Sequence, residues 1–574
     1  MSVLAEIKDT ENRQLNGAQA IIACLELEQV DTVFSYPGGA VLSIFEALRE
    51  SNKIKNVLTR TEQGATHAAS GYARASGKAG VCIATSGPGA TNLVTGLPTA
   101  YMDSIPMVAI TGQVSTAMIG TDAFQEIDIT GITRPIVKHS YLVTNVNDLP
   151  QVIKEAFYLA TTGRPGPVLV DVPKNVADSL CKAAIPGQID LPGYKPTFKG
   201  HQLKIQNACK LLQAAKKPLI YAGGGVISAR AEELLQKLAH RLDAPVAVTL
   251  LGKAAYPFRD GYYIGMLGIH GAPAANLAVS ECDVLLAVGA RFDDRVTGNV
   301  AEFAKEAKII HVDVDPAEIG KNVPADVPIV GDAAAIIEVM LDFLEQSEHD
   351  VWRAKIESWR PLHSDAYDAN LAGAANGQLH FREVLQALNR QTKGKAVVTT
   401  DVGQHQMVAA QFYHARQGGG FISSGGLGTM GYGLPAAVGA QLARPEALVV
   451  CITGDGSFQM TMNELATAKA QRLPIKVILS NNSNLGMVRQ LQKYYSEEHY
   501  FGIDLEGNPD FAKIAEAYDM AYFRLERPED VEATLQAALA CDRLTLVECL
   551  IAKEEMVYPM VLNGKGLSEM VVAE

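Results

Sequence analysis

Val449-Val450-Cys451-Ile452-Thr453-Gly454-Asp455-Gly456-Ser457-Phe458 and Ile475-Lys476-Val477-Ile478-Leu479-Ser480-Asn481-Asn482 decide how this chain is read. Each is an apolar strand, of the kind buried on both faces, that runs into a polar turn. Between them, Gln459 to Arg472 carries an apolar stripe at helical spacing, so strand, helix and parallel strand are predicted. Asp455 and Asn482 then fall at the carboxyl ends of two parallel strands, where open α/β sheets bind ligands. A carboxylate and an amide oxygen there suit a hard cation such as Mg²⁺. Gly454 and Gly456 let a phosphate approach the backbone, and a helix start after Gly456 favours negative charge. Each half alone is ordinary, since Gly-Asp-Gly is a common turn and Asn pairs often open loops. Together, on one strand–helix–strand unit, they point to a metal-clamped phosphate.

The chain of 574 residues suggests three or four domains of about 150 residues each. With 48% hydrophobic and 20% charged residues, sizeable cores are possible. The formal charge of −13 and the lack of a dense basic patch argue against nucleic acid. No run of about 18 apolar residues is present, which argues against a membrane span. Met1 to Gln14 is polar with both charge signs, unlike a signal or transit peptide. The eight cysteines are scattered with no Cys-x-x-Cys, which reads as reduced thiols of a cytoplasmic protein.

Three α/β blocks are predicted. The first holds helices Gly17–Glu28 and Val41–Glu50 and strands Thr32–Ser35, Gly80–Ala84, Met107–Thr111 and Val168–Val172. A Pro/Gly-rich stretch, Pro186 to Gly200, reads as a linker. The second block carries strands Pro218–Ala222, Val246–Thr249, Val284–Val288 and Lys308–Asp313. Ser347 to Gly377 reads as helix plus linker. The third block carries strands Val397–Thr400, Leu448–Thr453, Ile475–Leu479 and Thr545–Cys549, then a loop-like tail. Domain boundaries are set at 1–190, 191–355 and 356–574.

Other motifs also end strands. In Arg60-Thr61-Glu62-Gln63-Gly64, Glu62 opens a helix of small residues from Gly64 to Ala75, so its carboxyl is expected to be partly desolvated. An acid at a helix start is also simply favoured by the dipole. Thr85-Ser86-Gly87-Pro88-Gly89-Ala90-Thr91-Asn92 is a tight turn that lets backbone approach a ring, with Thr91 or Asn92 available to cap a helix. Gly425-Gly426-Leu427-Gly428-Thr429-Met430 is a glycine-dense loop whose Met430 either wedges against a bound ring system or fills a core. Tyr221-Ala222-Gly223-Gly224-Gly225-Val226 resembles a dinucleotide phosphate turn without the full Gly-x-Gly-x-x-Gly.

The Asp455–Asn482 unit resembles the thiamine diphosphate fingerprint, and its spacing lies in that group's usual range. Over Gly17 to Met570 the chain resembles the catalytic (large) subunit of the acetohydroxyacid synthase, or acetolactate synthase, family. Further motifs carrying this are Ser35-Tyr36-Pro37-Gly38-Gly39-Ala40, Ala123-Phe124-Gln125-Glu126, Gly163-Arg164-Pro165-Gly166-Pro167, Asp171-Val172-Pro173-Lys174 and Arg291-Phe292-Asp293-Asp294-Arg295. The last resembles the FAD-containing biosynthetic branch. The resemblance implies three α/β domains with mainly parallel sheets: two that bind thiamine diphosphate and a Rossmann-like middle domain that binds FAD.

The resemblance also implies roles. Glu62 activates the cofactor through its aminopyrimidine ring. Asp455, Asn482 and the carbonyl of Asn484 hold Mg²⁺. Gly38, Phe124, Gln125 and Lys174 line the substrate channel, Arg291 grips the carboxylate of the second 2-ketoacid, and Leu491 shapes that pocket. Without family context, Arg291 is as readily a structural ion-pair former. Pro37, Pro88, Asn92, Val402, Gly403, Gln404, His405, Gly428, Met430, Gly454, Gly456, Ser457, Gly486 and Met487 contact thiamine diphosphate. FAD, structural and not turned over, meets Arg164, Gly223, Gly224, Gly225, Thr249, His270, Gly289, Arg295, Asp313 and Asp332. The implied reaction decarboxylates pyruvate and joins the two-carbon unit to pyruvate or 2-ketobutyrate, the first common step of branched-chain amino-acid biosynthesis. A homodimer or homotetramer and a small regulatory subunit are implied partners.

Two departures stand out: Thr61 where the family usually has His, and Leu491 where biosynthetic enzymes usually carry Trp. Leucine makes fewer contacts with an extra methyl group, so preference for 2-ketobutyrate is expected to weaken. Competing readings are a flavin-free catabolic acetolactate synthase, a pyruvate oxidase, and a catalytically dead scaffold.

Overall fold

Runs of Val, Ile and Leu that are buried on both faces have no solvent side, so they build parallel strands covered by helices. The computed structural model describes residues 15–362 and 377–572, and it contains three six-stranded sheets of this kind. In the first sheet the strands are β1 (Thr32–Tyr36), β2 (Lys55–Leu58), β3 (Gly80–Ala84), β4 (Met107–Gln113), β5 (His139–Leu142) and β6 (Pro167–Pro173). Their spatial order is β2-β1-β3-β4-β6-β5, in parallel ladders. The second sheet holds β7 (Pro218–Ala222), β8 (Val246–Val248), β9 (Tyr263–Met266), β10 (Val284–Val288), β11 (Lys308–Asp313) and β12 (Val327–Val330). Its order is β9-β8-β7-β10-β11-β12, the doubly wound arrangement of dinucleotide-binding sheets. The third is made of β13 (Val397–Thr400), β14 (Phe421–Ser423), β15 (Val449–Gly454), β16 (Lys476–Asn481), β17 (Ala521–Leu525) and β18 (Thr545–Leu550). It runs β14-β13-β15-β16-β18-β17, which is the order of the first sheet repeated.

The expected strands are all present, with ends moved by a residue or two. Several, among them Gly80–Ala84, Val284–Val288 and Val397–Thr400, keep their expected bounds. One helix differs. The stretch expected as a single helix over Gln459–Arg472 starts at Asp455 and breaks into Asp455–Thr461, a 3₁₀ turn Met462–Glu464 and a short helix Leu465–Ala470. The helix therefore begins on Asp455 and not after Gly456. In Ser347 to Gly377, a helix spans Asp350–Glu357, and residues 363–376 of that stretch lie outside the described residues.

Two compact units divide the chain. One comprises the first sheet up to Lys195 with Ser424–Val449 and Ser457–Ile475; the other comprises Pro196–Ser423, Val450–Gly456 and the residues from Lys476 onward. No sequence signal marked Ser424–Val449 as a companion of the first sheet. The physical reason is a close helix pair within that unit. Helix Glu62–Ser76 presents Ala68 and Gly71 to Ala436 and Gly439 of helix Gly433–Ala443. A Cβ on Gly71 would collide with the Ala436 carbonyl, and one on Gly439 with the Ala68 carbonyl. The small residues that follow Glu62 thus serve a helix–helix contact.

All eight cysteines are free, and all but Cys541 are buried. Among the described residues no helix is long and apolar enough to cross a membrane.

Candidate active site

In a doubly wound sheet the gap for a ligand opens where neighbouring strands send their connections to opposite sides. In the first sheet that point lies between β1 and β3. Pro37-Gly38 follows β1, Thr85-Ser86-Gly87 follows β3, and the two turns touch: a Cβ on Gly38 would lie 2.5 Å from Thr85 Cβ. Gly87 has φ 59°, a left-handed conformation suited to glycine, and is backed by Gln125, itself at φ 61°. Phe124 beside it is 87% exposed. Pro37, Pro88 and Lys174 are exposed on the same unit, Lys174 as the first residue of helix Lys174–Asp178.

Glu62 is the first residue of its helix and is 8% exposed, so the expected desolvation is found. Thr61 is the N-cap, with its hydroxyl accepting from the Gly64 N–H at 2.9 Å. Glu62 Oε2 accepts from Asn92 Nδ2 at 2.9 Å. Of the two candidate caps, Asn92 does cap the helix, at its C-terminal end. The helix there is a single turn, Pro88–Thr91, with Gly87 at its N-cap position, and Asn92 ends it and turns its amide to Glu62. A Cβ on Gly89 would crowd Thr85 Cγ2 at 2.7 Å and come within 3.1 Å of Glu62 Oε1.

The glycine loop is fixed within the same unit. Asp103 accepts from the N–H groups of Gly425 (3.2 Å) and Gly426 (2.7 Å), and Thr99 and Thr429 share a hydroxyl contact of 2.7 Å. Gly428 sits at φ 70°, exposed, and Met430 is half-buried. Arg164 donates to Ser104 Oγ at 2.9 Å and lies over the Tyr101 ring. Ser457 is buried.

The corresponding point of the third sheet lies between β13 and β15. Val402-Gly403-Gln404-His405 follows β13 and Gly454-Asp455-Gly456 follows β15. The two ends are tied: Asp401 N–H donates to the Ile452 carbonyl at 3.0 Å and Thr453 Oγ1 donates to Asp401 Oδ2 at 2.7 Å. The His405 ring covers Gly454, where a Cβ would be 2.9 Å from Nδ1. Burial pushes the His405 imidazole down to about 3, so it is neutral. Its buried Nε2 has no partner among the described residues. Asp455 is buried, which raises its carboxyl to about 6, while hydrogen bonds from Asn508 Nδ2 (2.8 Å) and the Ser483 and Gly456 N–H groups oppose that rise.

Beyond β16 the chain turns through Asn482-Ser483-Asn484. Asn482 Oδ1 accepts from the Asn484 N–H at 3.1 Å, and the buried Asn484 Oδ1 has no partner among the described residues. Gly486 leaves the space into which Gln404 and Asn482 reach; a Cβ there would strike Gln404 Oε1 and lie 2.8 Å from Asn482 Nδ2. Asp455, Asn482, Gln404, His405, Gly454 and Gly486 are thus gathered at one switch point. Met487 and Leu491 follow on helix Gly486–Tyr495, with Met487 half-buried and Leu491 39% exposed.

In the middle sheet the switch point lies between β7 and β10. Gly225 N–H donates to the Gly289 carbonyl at 3.1 Å, and a Cβ on Gly225 would be 2.6 Å from Gly289 Cα. Gly289 sits at φ 57°, and a Cβ on Gly224 would meet Leu251 at 3.4 Å. Thr249 joins the cradle through its N–H to the Ala222 carbonyl at 2.9 Å. Asp313 ends β11 and accepts from the Asp315 N–H. Asp332 caps helix Ala333–Phe343 through the Ala334 and Ala335 N–H groups. His270 is held through Nδ1 on the Pro559 carbonyl and its imidazole is lowered to about 4 by burial. Arg295 is exposed and paired with Asp294. Arg291 is half-buried beside Asp293, whose carboxyl burial raises.

Glu464 and Asp103, which hold the Arg60–Thr61 junction and the glycine loop, were missed. An acid within an otherwise apolar helical stripe was the one trace of Glu464 in the sequence.

Parallel sheets with polar turns at their switch points suit an enzyme that binds a phosphorylated cofactor, and sequence comparison shows a thiamine diphosphate enzyme. Sequence models of the thiamine pyrophosphate enzyme family match in three parts: the N-terminal TPP binding domain over residues 15–132, the central domain over 205–340 and the C-terminal TPP binding domain over 401–549. The chain is 48% identical over 577 residues to "Acetolactate synthase" of Mycobacterium leprae (99% of this chain, 92% of the relative). It is 46% identical over 568 residues to "Acetolactate synthase isozyme 3 large subunit" of Escherichia coli (97% and 98%). It is 44% identical over 571 residues to "Acetolactate synthase large subunit" of Haemophilus influenzae (98% and 99%). The chain belongs to the acetolactate synthase family of thiamine diphosphate enzymes.

Proposed function

We propose that this chain is the catalytic large subunit of a biosynthetic acetolactate synthase. It would form 2-acetolactate from two pyruvates and 2-aceto-2-hydroxybutyrate from pyruvate and 2-ketobutyrate. The observation that carries the reading is the buried Glu62, held by Asn92 at a sheet switch point of a thiamine diphosphate enzyme.

The residues fit the cofactors. His405 Nε2 and Asn484 Oδ1 are buried polar atoms without partners among the described residues, and they lie at a sheet switch point where a polar ligand would sit. Asp455, Asn482 and the Asn484 carbonyl form an all-oxygen donor set suited to Mg²⁺. Bound thiamine diphosphate supplies the nucleophilic carbon and the electron sink for decarboxylation. Asn92 restrains Glu62 Oε2 and leaves Oε1 to hold a proton at the aminopyrimidine ring. The Gly223–Gly225 turn against Gly289 supports FAD as a structural group. Arg291 binds the carboxylate of the second 2-ketoacid through its planar guanidinium. Gly38, Phe124, Gln125 and Lys174 would meet the substrate on the first unit, and Leu491 would influence the choice of acceptor.

Assembly as a homodimer or homotetramer, with a small regulatory subunit, belongs to the same reading; the Escherichia and Haemophilus relatives are named large subunits. The test is the visible spectrum of the purified protein, followed by product analysis with pyruvate alone and with 2-ketobutyrate. Oxidised flavin that pyruvate does not bleach, with acetolactate as product, supports the proposal. Acetolactate without flavin points to the catabolic type, and bleaching with acetate or peroxide points to an oxidase.

A further inference from the structure

Past Asp455 the chain runs through the 3₁₀ turn Met462-Asn463-Glu464 to a carboxyl that the proposed function does not use. Glu464 is 1% exposed and lies in the compact unit of the first sheet. Its oxygens accept from the Arg60 N–H (3.0 and 3.2 Å), the Thr61 N–H (3.0 Å), Thr61 Oγ1 (3.3 Å) and Thr467 Oγ1 (2.6 Å). All but the last of these donors belong to the two residues immediately before Glu62.

Those residues form the junction at which the strand turns into the helix. Thr61 works in both directions, since its hydroxyl donates to Glu464 and accepts from the Gly64 N–H. Gly64 completes the seat, because a Cβ there would collide with Glu464 Oε1. The peptide units of Arg60 and Thr61 therefore have one direction, and they fix the direction in which Glu62 leaves the first helical turn toward Asn92. Burial raises the Glu464 carboxyl, and its hydrogen bonds oppose that rise.

We propose that Glu464 is a positioning residue for Glu62, its carboxylate clamping the Arg60–Thr61 junction so that Glu62 Oε1 is presented to the aminopyrimidine ring. The inference rests on the thiamine diphosphate role proposed for Glu62. A glutamine would keep the shape but aim an amide N–H₂ at N–H donors that need an acceptor.

The test uses the full chain as Glu464→Gln, with Glu62→Gln as reference. Two readouts are followed besides turnover. One is solvent-deuterium exchange of the C2 hydrogen of bound thiamine diphosphate. The other is amide exchange of the peptide spanning residues 58–66 in cofactor-free protein. Glu464→Gln is expected to slow C2 exchange and kcat together by about 10–100-fold, as a displacement near 1 Å does. KM for pyruvate should stay within about threefold, because substrate binding is not touched. Amide exchange at the junction should quicken. If Glu62→Gln leaves C2 exchange unchanged, the reading of the site fails with it. If Glu62→Gln slows it and Glu464→Gln does not, Glu464 is a structural cap only and the proposal is overturned. Should Glu464→Gln not fold, Thr61→Val decides. It is expected to slow C2 exchange by about 3–10-fold through the lost hydroxyl contacts, with Thr61→Ser restoring it. An unchanged rate in Thr61→Val overturns the proposal.

Discussion

At the switch point of the first sheet a buried carboxyl, Glu62, is steadied by one amide, and its neighbours Gly38, Gly87 and Gly89 keep the surface bare. At the switch point of the third sheet the groups are oxygen donors and one neutral imidazole, drawn from three successive strand ends. Yet the two sheets order their strands identically. Topology decides where a ligand sits, and the loops decide what is done to it. In the proposed reading, the first sheet keeps a group that exchanges a proton with a ring. The third keeps groups suited to holding a charged tail and its metal.

That division of labour gives predictions of graded size. Removing the third-sheet carboxylate by Asp455→Ala should abolish cofactor retention. Thermal shift with thiamine diphosphate and Mg²⁺ should vanish, and activity with it, a larger loss than the 10–100-fold typical of a second-shell contact. Glu62→Gln should spare binding and cut kcat by about 10²–10⁴, the range for a lost acid–base group. If the two variants behaved alike, the contrast between the sheets would collapse.

The middle sheet extends the comparison, since its strand order differs and its cradle is backbone against backbone. Gly225→Ala must push against Gly289 and should cost about 1–3 kcal/mol, seen as a lower unfolding temperature and less flavin carried through purification. A variant equally stable and equally yellow would remove the reason for a glycine there. The smallest effect belongs to Leu491. With both acceptors present, Leu491→Trp should raise the ratio of 2-aceto-2-hydroxybutyrate to 2-acetolactate by about tenfold, the lower end of what one methyl group is worth in a pocket. An unchanged product ratio would show that position 491 does not set acceptor choice.

Much of this was legible in the chain itself. The strand ends at Asp455 and Asn482 follow from apolar runs that stop at polar turns, a local signal that long-range packing did not override. The strand order is not local, so the identity of the first and third sheets was invisible. The segment Gln459–Arg472 shows why helix periodicity misleads here. Its apolar stripe is real, with Leu465 and Ala468 buried, but the Glu464 carboxyl is drawn to N–H groups some four hundred residues earlier and a 3₁₀ turn forms at that point. Asn92 is a similar case. As an amide beside a glycine turn it reads as a cap, and only the fold places Glu62 within its reach.

The most direct measurement is a calorimetric titration of thiamine diphosphate with Mg²⁺ into Glu62→Gln and the parent chain, with acetolactate from pyruvate measured on the same samples. The account predicts affinities within about threefold of each other and acetolactate from the parent alone. Acetolactate from Glu62→Gln at the parent's rate, or a collapse of its cofactor affinity, would contradict it.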